Sequence, residues 1–142
     1  MRIYISGALA AAADLAAARS KYEAIARALE AEGFSTYVPH VKSDPERARD
    51  KTPAAVFQQD LEALMACEVV VASLDEPSHG VGAEVAMALA RDKIVVAVWR
   101  PGARVSRFLQ GLIESSPIGC CAECATTTDV VAAVVRSVRR QV

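Results

Sequence analysis

The sequence predicts an α/β three-layer sandwich built on a five-stranded parallel sheet. Short β-rich apolar runs alternate five times with helical stretches along the chain. The central run, Val69 to Leu74, is almost wholly apolar, as expected of a strand covered on both faces. Such alternation requires right-handed crossovers, which put helices on both sides of the sheet. A chain of 142 residues fits one compact domain, so residues 1–142 are read as a single unit.

Residues 2–6 form the first strand and enter a turn at Gly7. From 14 to 32, Leu15, Ala18, Tyr22, Ile25, Ala26 and Leu29 recur at three- and four-residue steps, the spacing of one helix face. Gly33 ends that helix, where a positive φ is commonly needed. Residues 34–38 form a second strand, stopped by Pro39. The charged stretch 42–52 (KSDPERARDKT) reads as a solvated loop. Thr52-Pro53 then supplies an N-cap followed by proline at the first helical position. That helix continues through Val56, Phe57, Asp60, Leu61 and Leu64 to about Cys67.

Beyond the central strand, residues 75–82 read as loop and 83–91 as helix. A fourth strand spans 94–99, a short helix 104–113 and a fifth strand 118–122. Residues 128–140 form a closing amphipathic helix, which the segment 126–129 (TTTD) can cap. The whole is a Rossmann-like (flavodoxin-like) pattern. Ligands of such sheets sit outside the carboxyl ends of the strands, at a topological switch point. The loops expected to form a site are therefore 7–13, 39–42, 75–82 and 100–106.

Composition narrows the function. A net charge of −1 and a pI near 6.1 offer a polyanion no general attraction, which disfavours a nucleic-acid surface. A mononucleotide remains compatible, because a few local donors suffice for one phosphate. The apolar run at the N-terminus is shorter than a secretory h-region, and 69–74 is far short of the roughly 20 residues that span a bilayer. A cytoplasmic, membrane-free protein is expected. Cys67, Cys120, Cys121 and Cys124 include a CxxC spacing, but the two histidines are isolated. The cysteines are read as small apolar residues in and after a strand, with no metal site expected.

The chemistry concentrates around residues 60–84. Ser78 with Gly80-Val81-Gly82 makes a glycine-rich turn before a helix, where backbone N–H groups can bind an anion. No GKS or GKT follows, so this is not a Walker loop. Glu84 is expected in the first turn of that helix, facing the crevice, and Asp60 beside the buried face of the preceding helix. Two carboxylates in unequal environments can divide into nucleophile and general acid, as in retaining glycosyl cleavage. A simple N-terminal charge on a solvated helix is the competing reading of Glu84.

The run 60–90, DLEALMACEVVVASLDEPSHGVGAEVAMALA, resembles the signature of the nucleoside 2-deoxyribosyltransferase superfamily. Its PSxGVGxE core resembles the 2′-deoxynucleoside 5′-phosphate N-hydrolase branch in particular. Tyr4-Ile5-Ser6-Gly7 is similar to that family's YxxG loop, and Arg100-Pro101 with Arg104-Val105-Ser106 to its later RP…RV(x)S segment. The resemblance implies that Glu84 is a nucleophile toward C1′, forming a glycosyl-enzyme intermediate. It implies that Asp60 orients the sugar and assists protonation of the departing base, and that Tyr4 lines the sugar pocket and disfavours a 2′-OH. Gly7 would allow close approach of the ligand, Ser78 and the backbone of Gly80 and Gly82 would hold a 5′-phosphate, and His40 could line the crevice. Ser106 would reach the phosphate bound in a neighbouring subunit, which implies a homodimer. No cofactor is implied.

The chain departs from that pattern in three places. Ala8-Leu9-Ala10-Ala11 stands where polar and basic residues are usual, so a basic phosphate contact is missing there. His79 stands at an often apolar position and reads as solvent-exposed, and Ala83 stands where a bulky residue is common. The activity expected is hydrolysis of the N-glycosidic bond of a (2′-deoxy)nucleoside 5′-monophosphate. The alternatives are deoxyribosyl transfer between bases, a ribonucleotide-specific glycosidase and a non-catalytic nucleotide-binding module.

Overall fold

The computed structural model describes residues 1–9, 12–44, 46 and 48–141. Five strands, β1 (Arg2–Ser6), β2 (Ser35–Tyr37), β3 (Val69–Ser73), β4 (Ile94–Trp99) and β5 (Gly119–Glu123), form one parallel sheet. Their order is β2-β1-β3-β4-β5, the doubly wound arrangement that reverses direction between β1 and β3. The helices are α1 (Leu15–Ala31), α2 (His40–Ser43), α3 (Pro53–Met65), α4 (His79–Leu89), α5 (Arg107–Glu114) and α6 (Thr127–Gln141). No helix among the described residues is long and apolar enough to cross a membrane.

Period-two alternation divides the strands between two cores. Ile3, Ile5, Val69, Val71, Ile94, Val96 and Val98 pack with α1 and α6 residues such as Tyr22, Leu29, Val130 and Val134. Tyr4, Val70, Ala72, Val95 and Ala97 face the other way, onto Leu64, Val81, Val85 and Ile113 of α3, α4 and α5. β3 is buried along its whole length, as its unbroken valine run anticipated.

Several boundaries follow from caps. The Asp14 carboxylate accepts the Ala17 N–H at 2.9 Å, so Asp14 caps α1 instead of opening it. Thr52 caps α3 through the Ala55 N–H, with Pro53 at its start as expected. Thr126 and Asp129 bond reciprocally at the start of α6. Gly33 closes α1 at φ +88°.

Two expectations are corrected. The stretch 42–52 is not all loop: α2 begins at His40, ahead of it, and runs to Ser43. Pro45 and Arg47 lie outside the described residues, as do Ala10 and Ala11 of the first loop. The larger correction concerns α4, which starts at His79, not at residue 83. Ser78 has extended φ and ψ and its Oγ accepts the Val81 N–H at 3.3 Å, so the cap outweighs the poor helix propensity of the two glycines behind it.

The end of α5 is packed closely on β5. A Cβ on Gly119 would lie 2.1 Å from the Ile113 carbonyl oxygen and 2.9 Å from its carbon. Backbone cannot turn aside as a side chain can. Gly119→Ala is expected to destabilise the fold by roughly 1–3 kcal/mol, the usual cost of overpacking, seen as a lower urea midpoint at unchanged m-value.

Candidate active site

The site grows from β1. Tyr4 and Ser6 are two residues apart on a strand, so both side chains leave the same face. They meet Glu84, the sixth residue of α4. The Tyr4 hydroxyl donates to Glu84 Oε1 at 2.7 Å, and the Ser6 hydroxyl donates to Oε2. Both carboxylate oxygens thus accept a hydrogen bond from the strand below. Because α4 begins early, Glu84 lies in its second turn, where the helix dipole has largely faded. Hydroxyl donors, not the helix end, stabilise the anion.

Burial pushes the Glu84 carboxyl above the usual carboxylate range. The Ser6 and Tyr4 hydroxyls pull it back, and the nearby charge of Asp60 pushes it up again. The Tyr4 phenol is itself raised, first by burial and then by the Glu84 charge, so it remains a donor.

Glu84 opens onto a cavity of about 650 Å³ between α3, α4 and the loops above β1 and β2. Asp60 lines it from α3, and Gly7, Ser78 and Gly80 line it from the loops and the start of α4. The sequence-predicted residues Glu84, Asp60, Gly7, Ser78 and Gly80 are therefore brought together, with Tyr4 beneath them. Cys120, Cys121, Cys124 and Cys67 are all free thiols, and none lines this cavity.

Three predicted site residues fall elsewhere. His40 is 1% exposed and places Nε2 2.9 Å from Glu23 Oε1, behind the cavity wall. Gly82 sits on the far side of α4, and its N–H is already bonded to the Ser78 carbonyl at 3.2 Å within the helix. Ser106 caps α5 through the Leu109 N–H and lines a second groove, of about 580 Å³, on the other side of residues 78–82. His79 is exposed, as expected.

Gly7 lines the cavity, but the space of its missing Cβ is occupied from behind. A Cβ there would lie 2.1 Å from Tyr22 Cζ, and the Tyr22 hydroxyl donates to the Ala8 carbonyl at 3.0 Å. The glycine is needed for packing as well as for approach.

Sequence reasoning missed Ser6, although its alternation with Tyr4 places it on the same face. It also missed Arg49 and Lys51, which bring positive charge into the cavity wall from the stretch read as a solvated loop. Phe57, 54% exposed, contributes an aromatic surface to the same wall.

A doubly wound α/β domain with two carboxylates in a cleft beside its switch point is the class that fold and site define. The chain belongs to the nucleoside 2-deoxyribosyltransferase family, whose model matches residues 3–129. A Trichoplax adhaerens protein named as a 2′-deoxynucleoside 5′-phosphate N-hydrolase is 37% identical over 84 residues, 58% of this chain and 56% of that one. The human 5-hydroxymethyl-dUMP N-hydrolase is 34% identical over 104 residues, 69% of this chain and 59% of its own. The chain thus spans somewhat over half the length of these curated relatives. A conserved protein of Enterococcus faecalis V583 shares the fold at a TM-score of 0.74 and 21% identity, covering 95% of this chain and 97% of that one.

Removing either hydroxyl takes away a bond that favours the charged carboxylate. In Tyr4→Phe and in Ser6→Ala, Glu84 is expected to titrate at higher pH than in the wild type, as followed by carboxyl carbon NMR. An unmoved midpoint in both variants would show that the hydroxyls do not hold the anion.

Proposed function

We propose that the protein hydrolyses the N-glycosidic bond of a (2′-deoxy)nucleoside 5′-monophosphate, with Glu84 as nucleophile. The observation that carries this reading is the half-buried Glu84 carboxylate, held through both oxygens by Tyr4 and Ser6 and facing a cavity shared with Asp60. The names of the curated relatives point to the same reaction class.

One Glu84 oxygen attacks C1′ as the bond from C1′ to the base nitrogen breaks, and the bonding pair leaves with the base. Positive charge developing at C1′ is stabilised by the adjacent carboxylate before the new bond is complete. Asp60 orients the sugar and assists protonation of the departing base. Water then attacks C1′ and gives up a proton to Asp60, the glycosyl–Glu84 bond breaks, and sugar 5-phosphate leaves with Glu84 restored as a carboxylate. Tyr4 and Ser6 hold the two oxygens throughout, so the nucleophile returns to one geometry.

The 5′-phosphate fits the start of α4. Ser78 supplies a hydroxyl there, and the His79 and Gly80 N–H groups precede the intrahelical ladder. Arg49 or Lys51 supplies the positive charge that Ala8-Leu9 does not. Gly82 has no part in this reading, since its N–H is committed to the helix.

The second groove suits a second copy of the chain. Phe108, 84% exposed, stands on it with Val105, Leu109 and Leu112, and Ser106 lies at the same surface. A dimer through this face would cover the apolar patch and direct the partner subunit's Ser106 toward residues 78–80. Such a protein acts in the cytoplasm, where nucleoside monophosphates are found.

The decisive assay is base release, by chromatography, from dAMP, dGMP, dCMP, dTMP, the matching ribonucleotides and unphosphorylated deoxynucleosides. Release is expected from monophosphates and is expected to fall by roughly 10³-fold or more in Glu84→Ala. Release only when a second base is supplied would instead identify a transferase. Sedimentation equilibrium checks the dimer: the wild type is expected at twice the monomer mass and Phe108→Glu at the monomer mass, and a monomeric wild type sinks the interface.

A further inference from the structure

Tyr37 and Gln59 have no role in the reading above, yet they are joined to it by a directed set of hydrogen bonds. Lys51 Nζ donates to Gln59 Oε1 at 2.6 Å. Gln59 Nε2 donates to the Tyr37 hydroxyl at 3.4 Å, and that hydroxyl donates to Asp60 Oδ1 at 3.3 Å. Each donor points toward the Asp60 carboxylate, starting from a cation. In such a series each bond polarises the next, which strengthens donation to the final acceptor.

The ring of Tyr37 is placed as deliberately as its hydroxyl. Tyr4 and Tyr37 are partners in the β1–β2 register, and their rings stack at 5.5 Å between centroids and 20° between planes. One tyrosine donates to Glu84 and its stacked neighbour donates to Asp60. Two rigid rings on adjacent strands therefore carry the two carboxylates, and their stacking sets how the carboxylates stand to each other.

We propose that Tyr37, backed by Gln59 and Lys51, is a positioning residue that holds Asp60 against the reacting sugar. The inference rests on the glycosidase reading and extends it to Tyr37 and Gln59, neither of which lines the cavity. Among the described residues, the groups bearing charge or titrating around Asp60 and Tyr37 are Arg2 and Tyr4 from β1, Glu84 from α4, and Arg49 and Lys51 from the segment before α3, with the Arg2 guanidinium 5.9 Å from the centre of the Tyr37 ring.

Tyr37→Phe removes the hydroxyl and keeps the stacked ring. On a nucleotide that the wild type cleaves, kcat is expected to fall about 10-fold, the scale of one hydrogen bond to a charged acceptor, with KM within about twofold. Gln59→Leu is expected to lower kcat in the same way by a smaller factor. Packing alone would move thermal stability and leave kcat in place. An unchanged kcat in Tyr37→Phe overturns the proposal, and a loss in Tyr37→Phe without one in Gln59→Leu overturns the relay beyond the tyrosine. If the wild type cleaves no nucleotide, the glycosidase reading fails on its own. The relay is then judged from crystal structures of wild type and Tyr37→Phe, where a turned Asp60 carboxylate supports it and an unmoved one overturns it.

Discussion

Drawing a carboxylate partly out of water against an apolar sheet is costly unless donors meet it, and much of the site follows from how Glu84 is met. Tyr4 and Ser6 reach it from one face of β1, which therefore gives up two core positions to polar groups. That exchange is possible only where β1 faces α4, and α4 comes into register there because Ser78 caps it. The anion is also the form that the fold holds least willingly. Its pKa is raised on folding, so its contribution favours the folded state at acid pH and is withdrawn as the pH rises past the folded value. A reactive group is thereby kept at some cost to stability.

The sheet and its two cores were readable because periodicity reports burial directly. The valine run of β3, the three- and four-residue spacing of α1 and the Thr52-Pro53 start of α3 each encode a local rule that tertiary packing leaves intact. The early start of α4 was less legible, because two glycines argue against helix and a single serine cap argues for it. Propensity lost to a hydrogen bond.

The site was legible in part. Glu84, Asp60, Tyr4, Gly7, Ser78 and Gly80 converge, whereas His40 and Gly82 do not, and Ser106 stands at another surface. Which side of a helix a glycine faces, or whether a histidine after a strand turns inward, depends on rotations that spacing does not record. Tyr37 was hidden for a different reason. Its importance lies in pairing with Tyr4 across the sheet, and parallel register between distant segments cannot be read from either segment alone.

β2 has only three residues and lies at the edge of the sheet, paired to β1 alone. Short edge strands open locally at lower free energy than central ones, ahead of any global transition. Tyr37 closes that strand, so the floor beneath Asp60 belongs to the part of the molecule that lets go first. Local opening of β2 on warming would loosen the alignment of the two carboxylates while β3 and β4 still hold their partners. A working range limited by β2 would end below the melting point of the sheet as a whole.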